Sequence, residues 1–267
     1  MPPPELSSTR RLAWLYSPVP QRLALTSLSA IEQEIGASTH AGLDHAVAHA
    51  RLDWWAAECD RTARGRPSHP LTCEVVSVFA PIGAEPLEGL AGLVTNAAWD
   101  LSRATFDARQ ELTAYCERWS AAVITPLVRL AVPDIPGTYA RAIGVNLQEI
   151  ELLLGLAADA SAGRLRVPLD ELERAGTAPE VLAHPPWPAG LADLLRARHR
   201  ELRVALGAAL EALPSSSRKP LRGLIVWAAL ACTTSRRAEK RLPQASRVRD
   251  HHAPLDGWRA WRAARKT

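Results

Sequence analysis

The stretch GLAADASAGRLRVPLDEL, residues 155–172, decides how this chain is read. Its first half has the composition of a helix end, Gly163 supplies a turn, and Pro168 stops the loop that follows. The helix carries one carboxylate, Asp159. One turn earlier on the same face stands Gly155, and Glu151 and Gln148 continue the stripe at helical spacing. Carboxylates at i and i+4 present oxygen ligands side by side, the donor set a hard divalent cation needs. With glycine at the centre of that stripe, the stretch is either a metal-binding helix that has lost a ligand or an ordinary helix end.

Helical periodicity recurs along nearly the whole chain on either side of it. Leu23, Leu25, Leu28, Ile31 and Ile35 mark a helix that stops at Gly36, and further helices are predicted over residues 42–64, 86–101, 106–130, 139–160, 191–213 and 220–237. HPLTCEVVSVF, residues 69–79, could be a strand by itself, but its surroundings are helical. PLDELERAG, residues 168–176, reads as a short helix with a glycine stop. APEVLAHPPWPAG, residues 178–190, holds four prolines and is expected to be irregular. A polar link, PQASRVRDHHAP, leads to the closing LDGWRAWRAARKT. No repeat and no dividing linker is visible. The expectation is one all-α domain over residues 15–240, an N-terminal extension over 1–14, and a polar link with a closing basic, Trp-bearing helix over 241–267.

Composition agrees. Of 267 residues 47% are hydrophobic, enough for a sizeable core, and the dominance of Ala and Leu over β-branched residues favours helix. The formal charge of +4 comes almost wholly from arginine, since Lys219, Lys240 and Lys266 are the only lysines. Such an excess suits anionic ligands, a membrane surface or nucleic acid and selects none. The lack of a dense basic block interleaved with aromatics argues against nucleic acid. Four widely spaced cysteines without a CxxC read as reduced thiols, not as a disulfide frame or zinc site. MPPPELSSTRR lacks the apolar core of a signal peptide, and no apolar run approaches the roughly 20 residues that span a bilayer. A cytoplasmic protein is expected, with peripheral contact at the inner face of a membrane left open.

The order of several landmarks resembles the squalene/phytoene synthase family. They are RLDWW at residues 51–55 followed by GRPSHPL, Asp100-Leu101 fifteen residues before Tyr115-Cys116, Gly144 and Gln148 in the later helix, and DASAGRLRVPLDEL at residues 159–172. The resemblance covers about residues 15–237. It implies an isoprenoid-synthase-like helical bundle around a central cavity, in which enzymes join two prenyl diphosphates head to head. In them two Asp-rich motifs on facing helices hold Mg²⁺, which supplies the charge compensation for diphosphate departure.

This chain departs from that pattern at both motifs. Anchored on Gly163-Arg164, the second motif falls on Gly155 and Asp159, Leu154 stands where the family has Arg, and Glu151 stands where it has Asn. The first motif falls within LSAIEQEIGASTH, with Gln33 at the family's Arg and Gly36, Ala37 and His40 at its Asp positions. Glu32 and Glu34 are close by but, two apart, point to different helix faces. EQEI and RLDWW resemble a divergent branch of the family, related to mitochondrial respiratory complex I assembly factors, which is thought to have lost prenyltransferase activity. The resemblance therefore implies a non-catalytic assembly factor or an isoprenoid- or lipid-binding protein. No cofactor is then expected, and a protein partner in respiratory complex assembly is. The alternative is an active Mg²⁺-dependent prenyltransferase using Glu32, Glu34, Gln148, Glu151 and Asp159 as atypical diphosphate and metal positions.

Other residues carry weaker signals. Arg51 could bind an anion and Trp54 and Trp55 could line the cavity, although tryptophans at helical spacing are more often core. Arg164 and Arg166 flank the cavity mouth in the implied fold. Arg164 is a candidate anion contact, and a solvated surface role is preferred for Arg166, where the family has Tyr. His45, His49 and Asp53 share a helix face, but HAVAH lacks the HExxH glutamate and reads as a polar face; His251-His252 reads the same way. Ser215–Ser217 have no glycine elbow, and Cys116 reads as core. The tail could lie in a membrane interface through Trp258 and Trp261 or close the bundle by burying both indoles. The closing role is preferred because the segment is short.

Overall fold

The computed structural model describes residues 6–40, 42–246 and 255–267, and these form an all-helical bundle with no strand. The helices are α1 (Ser8–Tyr16), α2 (Val19–Ala37), α3 (His45–Ala63), α4 (Pro70–Phe79), α5 (Ala91–Leu101), α6 (Arg109–Trp119), α7 (Thr125–Ala131), α8 (Gly137–Leu154), α9 (Leu156–Ser161), α10 (Leu169–Arg174), α11 (Ala189–Glu211), α12 (Ser215–Arg218), α13 (Arg222–Arg241) and α14 (Asp256–Ala264). Proline stands at or beside the starts of α2, α4, α7, α8, α10, α11 and α12, where its fixed φ is already helical and its missing N–H costs nothing. A π-helical turn, Ser120–Ile124, joins α6 to α7 just ahead of Pro126, which has no N–H to give the preceding turn.

The boundaries differ from the sequence expectation at informative places. A helix, α1, lies where an extension was expected. Of residues 69–79, Pro70–Phe79 are helical, as their surroundings suggested. The helix expected over 139–160 breaks at Gly155 into α8 and α9, and the Pro-rich loop contains a 3₁₀ turn, Pro179–Ala183. The 86–101 helix begins instead with a 3₁₀ segment, Glu85–Leu90. His251 and His252 lie outside the described residues.

Helix α8 runs through the middle, with Ile143, Leu147 and Ile150 fully buried, and it packs on α6, α11, α13 and the π turn. Two glycines set how closely the layers approach. A Cβ at Gly144 would sit 2.0 Å from Ser120 Oγ, and one at Gly223 would sit 1.9 Å from Ser17 Oγ and 2.9 Å from the Ala13 carbonyl. Gly223 thus lets α1 lie directly on α13, which aims the first turn of α1 into the interior.

Glu58 ties α3 to the GRPSHP loop and α4. Its buried carboxylate accepts from the Ser68 N–H at 2.8 Å, the His69 N–H at 2.9 Å, the hydroxyls of Ser68 and Thr72, and Arg61. Burial by itself would raise its pKa; the hydrogen bonds from Ser68, Thr72 and His69 outweigh burial and hold it at about 2. A depressed carboxyl stabilises the fold fully above its ordinary value of 4.5 and loses that contribution as pH falls toward 2. Glu58→Gln is therefore expected to lower the unfolding midpoint at pH 7 and to narrow its gap to the parent as pH drops from 5 to 3, measured by denaturant titration. A gap independent of pH would contradict this role.

Candidate functional site

Arg10, in the first turn of α1, is 9% exposed and reaches the space between α2 and α8. Its guanidinium binds both oxygens of Glu32 on α2, donates to Glu151 Oε2 on α8 at 3.3 Å, and lies 3.4 Å from Ser29 Oγ. Each carboxylate is fixed from its other side by an indole. Trp119 Nε1–H donates to Glu32 Oε1 at 2.7 Å, and Trp227 Nε1–H donates to Glu151 Oε1 at 2.9 Å. The two rings stand edge to face, 6.1 Å apart, with the guanidinium 5.7 Å from one centroid and 5.0 Å from the other. Burial opposes the charge on Arg10, but Glu32 and Glu151 outweigh it and raise its pKa. The cation between the two helices is a side chain of the protein itself.

Asp159 is engaged elsewhere. Arg164 donates to its Oδ1 at 2.6 and 3.0 Å, and Arg166 Nε donates to its Oδ2 at 3.1 Å. Arg166 also forks onto both oxygens of Asp100, at 2.7 and 2.8 Å, where the Tyr115 hydroxyl donates at 3.1 Å. At 5% exposure Arg166 is buried, which corrects the solvated-surface reading: two carboxylates from different helices converge on one planar fork. Burial pushes the Tyr115 hydroxyl upward, only partly offset by Arg166.

The remaining candidates are dispersed. Glu34 faces Arg51 at 4.0 Å on the surface, away from Glu32. Trp55 is buried while Trp54 is 44% exposed, the two rings meeting edge to face. Gln148 is buried and its Oε1 has no hydrogen-bond partner. His45 and His49 place their Nε2 atoms 3.0 Å apart on the surface. Ser215–Arg218 form α12, and Cys116 is buried, its thiol pKa pushed up by burial. The structure therefore brings Glu32 and Glu151 together and leaves Glu34, Arg51 and Trp54 outside.

The donors do not fit Mg²⁺. Among the described residues no three His, Cys, Asp or Glu side chains come together so as to hold a metal ion. Glu32 and Glu151 each spend their oxygens on a guanidinium and an indole, and Asp159 on two guanidiniums. At Gly155 a Cβ would meet only ordinary contacts at 3.7 to 3.9 Å, so packing alone does not require glycine there. Behind Trp227, the apolar cavity lined by Ala13, Leu25, Leu127 and Leu224 measures 20 Å³, room for about one water.

A model of the squalene/phytoene synthase family matches residues 4–259. The chain belongs to the squalene/phytoene synthase family. It is similar to a phytoene synthase of Arthrospira platensis, 28% identical over 140 residues that cover 45% of this chain and 44% of that protein. The match thus spans under half the length of that curated relative. A dehydrosqualene synthase solved with a ligand has the same fold, with a TM-score of 0.80 at 16% identity over 97% of this chain and 90% of that one. A squalene synthase, HpnC, from Alicyclobacillus acidocaldarius gives a TM-score of 0.66 at 18% identity, covering 86% and 87%.

Sequence reasoning missed Arg10, Trp119 and Trp227. Nothing local marks them: the partners of Arg10 lie 22 and 141 residues away in the chain. Arg10→Met is expected to destabilise the protein by about 2–4 kcal/mol, since it leaves two partly buried carboxylates without their cation. Adding Glu32→Gln, which still accepts from Trp119, should recover part of that loss. Denaturant titration of the three proteins checks this, and additive losses would contradict it.

Proposed function

We propose that this family member is a non-catalytic protein whose diphosphate–metal site has been closed from within by Arg10. One observation carries the reading: a guanidinium occupies the space where α2 and α8 present their surviving carboxylates, in hydrogen-bonding contact with both. A metal would have to displace a paired, buried cation held by two carboxylates and flanked by two indoles. Departure of a diphosphate needs an exchangeable dication that binds phosphate oxygens. A guanidinium already committed to Glu32 and Glu151 does not supply that. The 20 Å³ cavity behind Trp227 is too small for a prenyl chain at that place. Among non-catalytic roles, the resemblance of EQEI and RLDWW to the assembly-factor branch supports one in respiratory complex assembly.

The second reading is a Mg²⁺-dependent prenyltransferase with atypical ligands. It has in its favour that Glu32 and Glu151 do converge across the bundle. Calorimetric titration with farnesyl diphosphate, with and without Mg²⁺, alongside a diphosphate-release assay separates the two. No Mg²⁺-dependent heat and no release are expected. Mg²⁺-dependent release that disappears in a Glu32→Gln, Glu151→Gln protein would establish the second reading instead.

A further inference from the structure

Helix α14 does not close the bundle with its indoles. The residues it turns inward are Ala260 and Ala264, which pack on Leu12 of α1 and on Val226 and Leu230 of α13. Its large apolar side chains point out: Leu255 is 58% exposed, Trp258 53% and Trp261 46%. The bundle-closing role expected of the two tryptophans therefore falls to alanines, because only small side chains let α14 lie this close to two neighbouring helices. With Leu255, Trp258 and Trp261 at i, i+3 and i+6, the exposed apolar groups share one side of the helix.

The same side is cationic. The Arg262 guanidinium lies 5.5 Å from the Trp258 ring centroid, and that of Arg265 lies 4.8 Å from Trp261. Lys266, next in the chain, is exposed as well. Asp256, the acidic residue of α14, is turned away into ion pairs with Arg237 at 2.7 Å and Arg259 at 3.1 Å. The outward face thus presents indoles, each with its own guanidinium, and no carboxylate of the helix competes for them.

We propose that this face is a docking surface for an anionic membrane, with α14 lying in the plane of the lipid interface. Indoles prefer the boundary between headgroup and hydrocarbon, with an apolar ring on one side and water on the other. Arginines stacked on them reach lipid phosphates at the same depth while their stems stay apolar. Shape favours lipid over a protein partner. A nine-residue helix is about 14 Å long, and a specific protein interface takes about 800 Å² from each side. A bilayer accepts a few protruding anchors without a matching surface. The bundle carries this helix to the interface already folded, so no ordering of α14 opposes binding.

Vesicle flotation of the full chain tests this, with phosphatidylcholine alone and with phosphatidylcholine plus phosphatidylglycerol. The protein should float with the anionic vesicles at low salt and be released as ionic strength rises. Trp258→Ala with Trp261→Ala, and separately Arg262→Glu with Arg265→Glu, should each cut the bound fraction about tenfold or more, with melting temperatures lowered only slightly because about half of each indole is exposed. The proposal is overturned if the parent protein stays with the soluble fraction, or if either double variant floats undiminished. It is equally overturned if the tryptophan variant melts well below the parent, or if α14 proves to be covered by a second copy in solution.

Discussion

The guanidinium of Arg10 sits between carboxylates from two helices that are far apart in the chain, and much of the interior is arranged to make that possible. A buried charge is costly unless it is paired and hydrogen-bonded, and here the terminal nitrogens of Arg10 are, while its Nε has no partner. Glu32 and Glu151 meet the cation, and Trp119 and Trp227 meet the carboxylates. The two indoles, among the largest fully buried side chains, also fill the volume around the ions. Losing Arg10 leaves both carboxylates without a cation, so the five residues are coupled through it. They join α1, α2, α6, α8 and α13 at a single place.

That arrangement rests on close backbone approach. Gly223 allows α1 to lie against α13, which sets the depth from which Arg10 reaches inward, and Gly144 allows α8 to lie against the π turn that follows Trp119. The small inward face of α14 does the same on the outside, packing alanines on α1 and α13. One consequence is shared by all three contacts: large side chains are sent elsewhere, into the interior at Trp119 and Trp227 and out to solvent at Trp258 and Trp261.

Arginine recurs wherever carboxylates are buried. Arg166 joins Asp100 to Asp159, and Arg109 and Arg198 bridge Glu149 and Glu171 on the opposite flank of α8. In that second group burial pushes Glu149 up to about 7, against the pull of Arg109. A planar fork with fixed donors suits such bridging better than a compact ammonium, which gives the strong excess of arginine over lysine a structural meaning that composition alone did not reveal. It also separates the acidic residues of α8 and α9 into different networks. Glu151 belongs to Arg10, Asp159 to Arg164 and Arg166, and the stripe seen along the sequence does not act as one ligand set.

The sequence by itself determined the helical class, the positions of most helices and the family, because apolar periodicity, proline punctuation and landmark spacing are properties of neighbouring residues. The resemblance also led to the expectation that the acidic motifs are depleted, with Gly36, Ala37 and Gly155 at ligand positions. Which surviving carboxylates meet, and what they meet, was decided only by the tertiary structure. Arg10 and Glu151 are 141 residues apart, and no local pattern couples them. The direction of the tail tryptophans was likewise undecidable from the sequence, because WRAWRAA offers an indole face and an alanine face, and either could turn inward. Packing chose the alanines, since α1 and α13 leave room beneath α14 for small side chains alone.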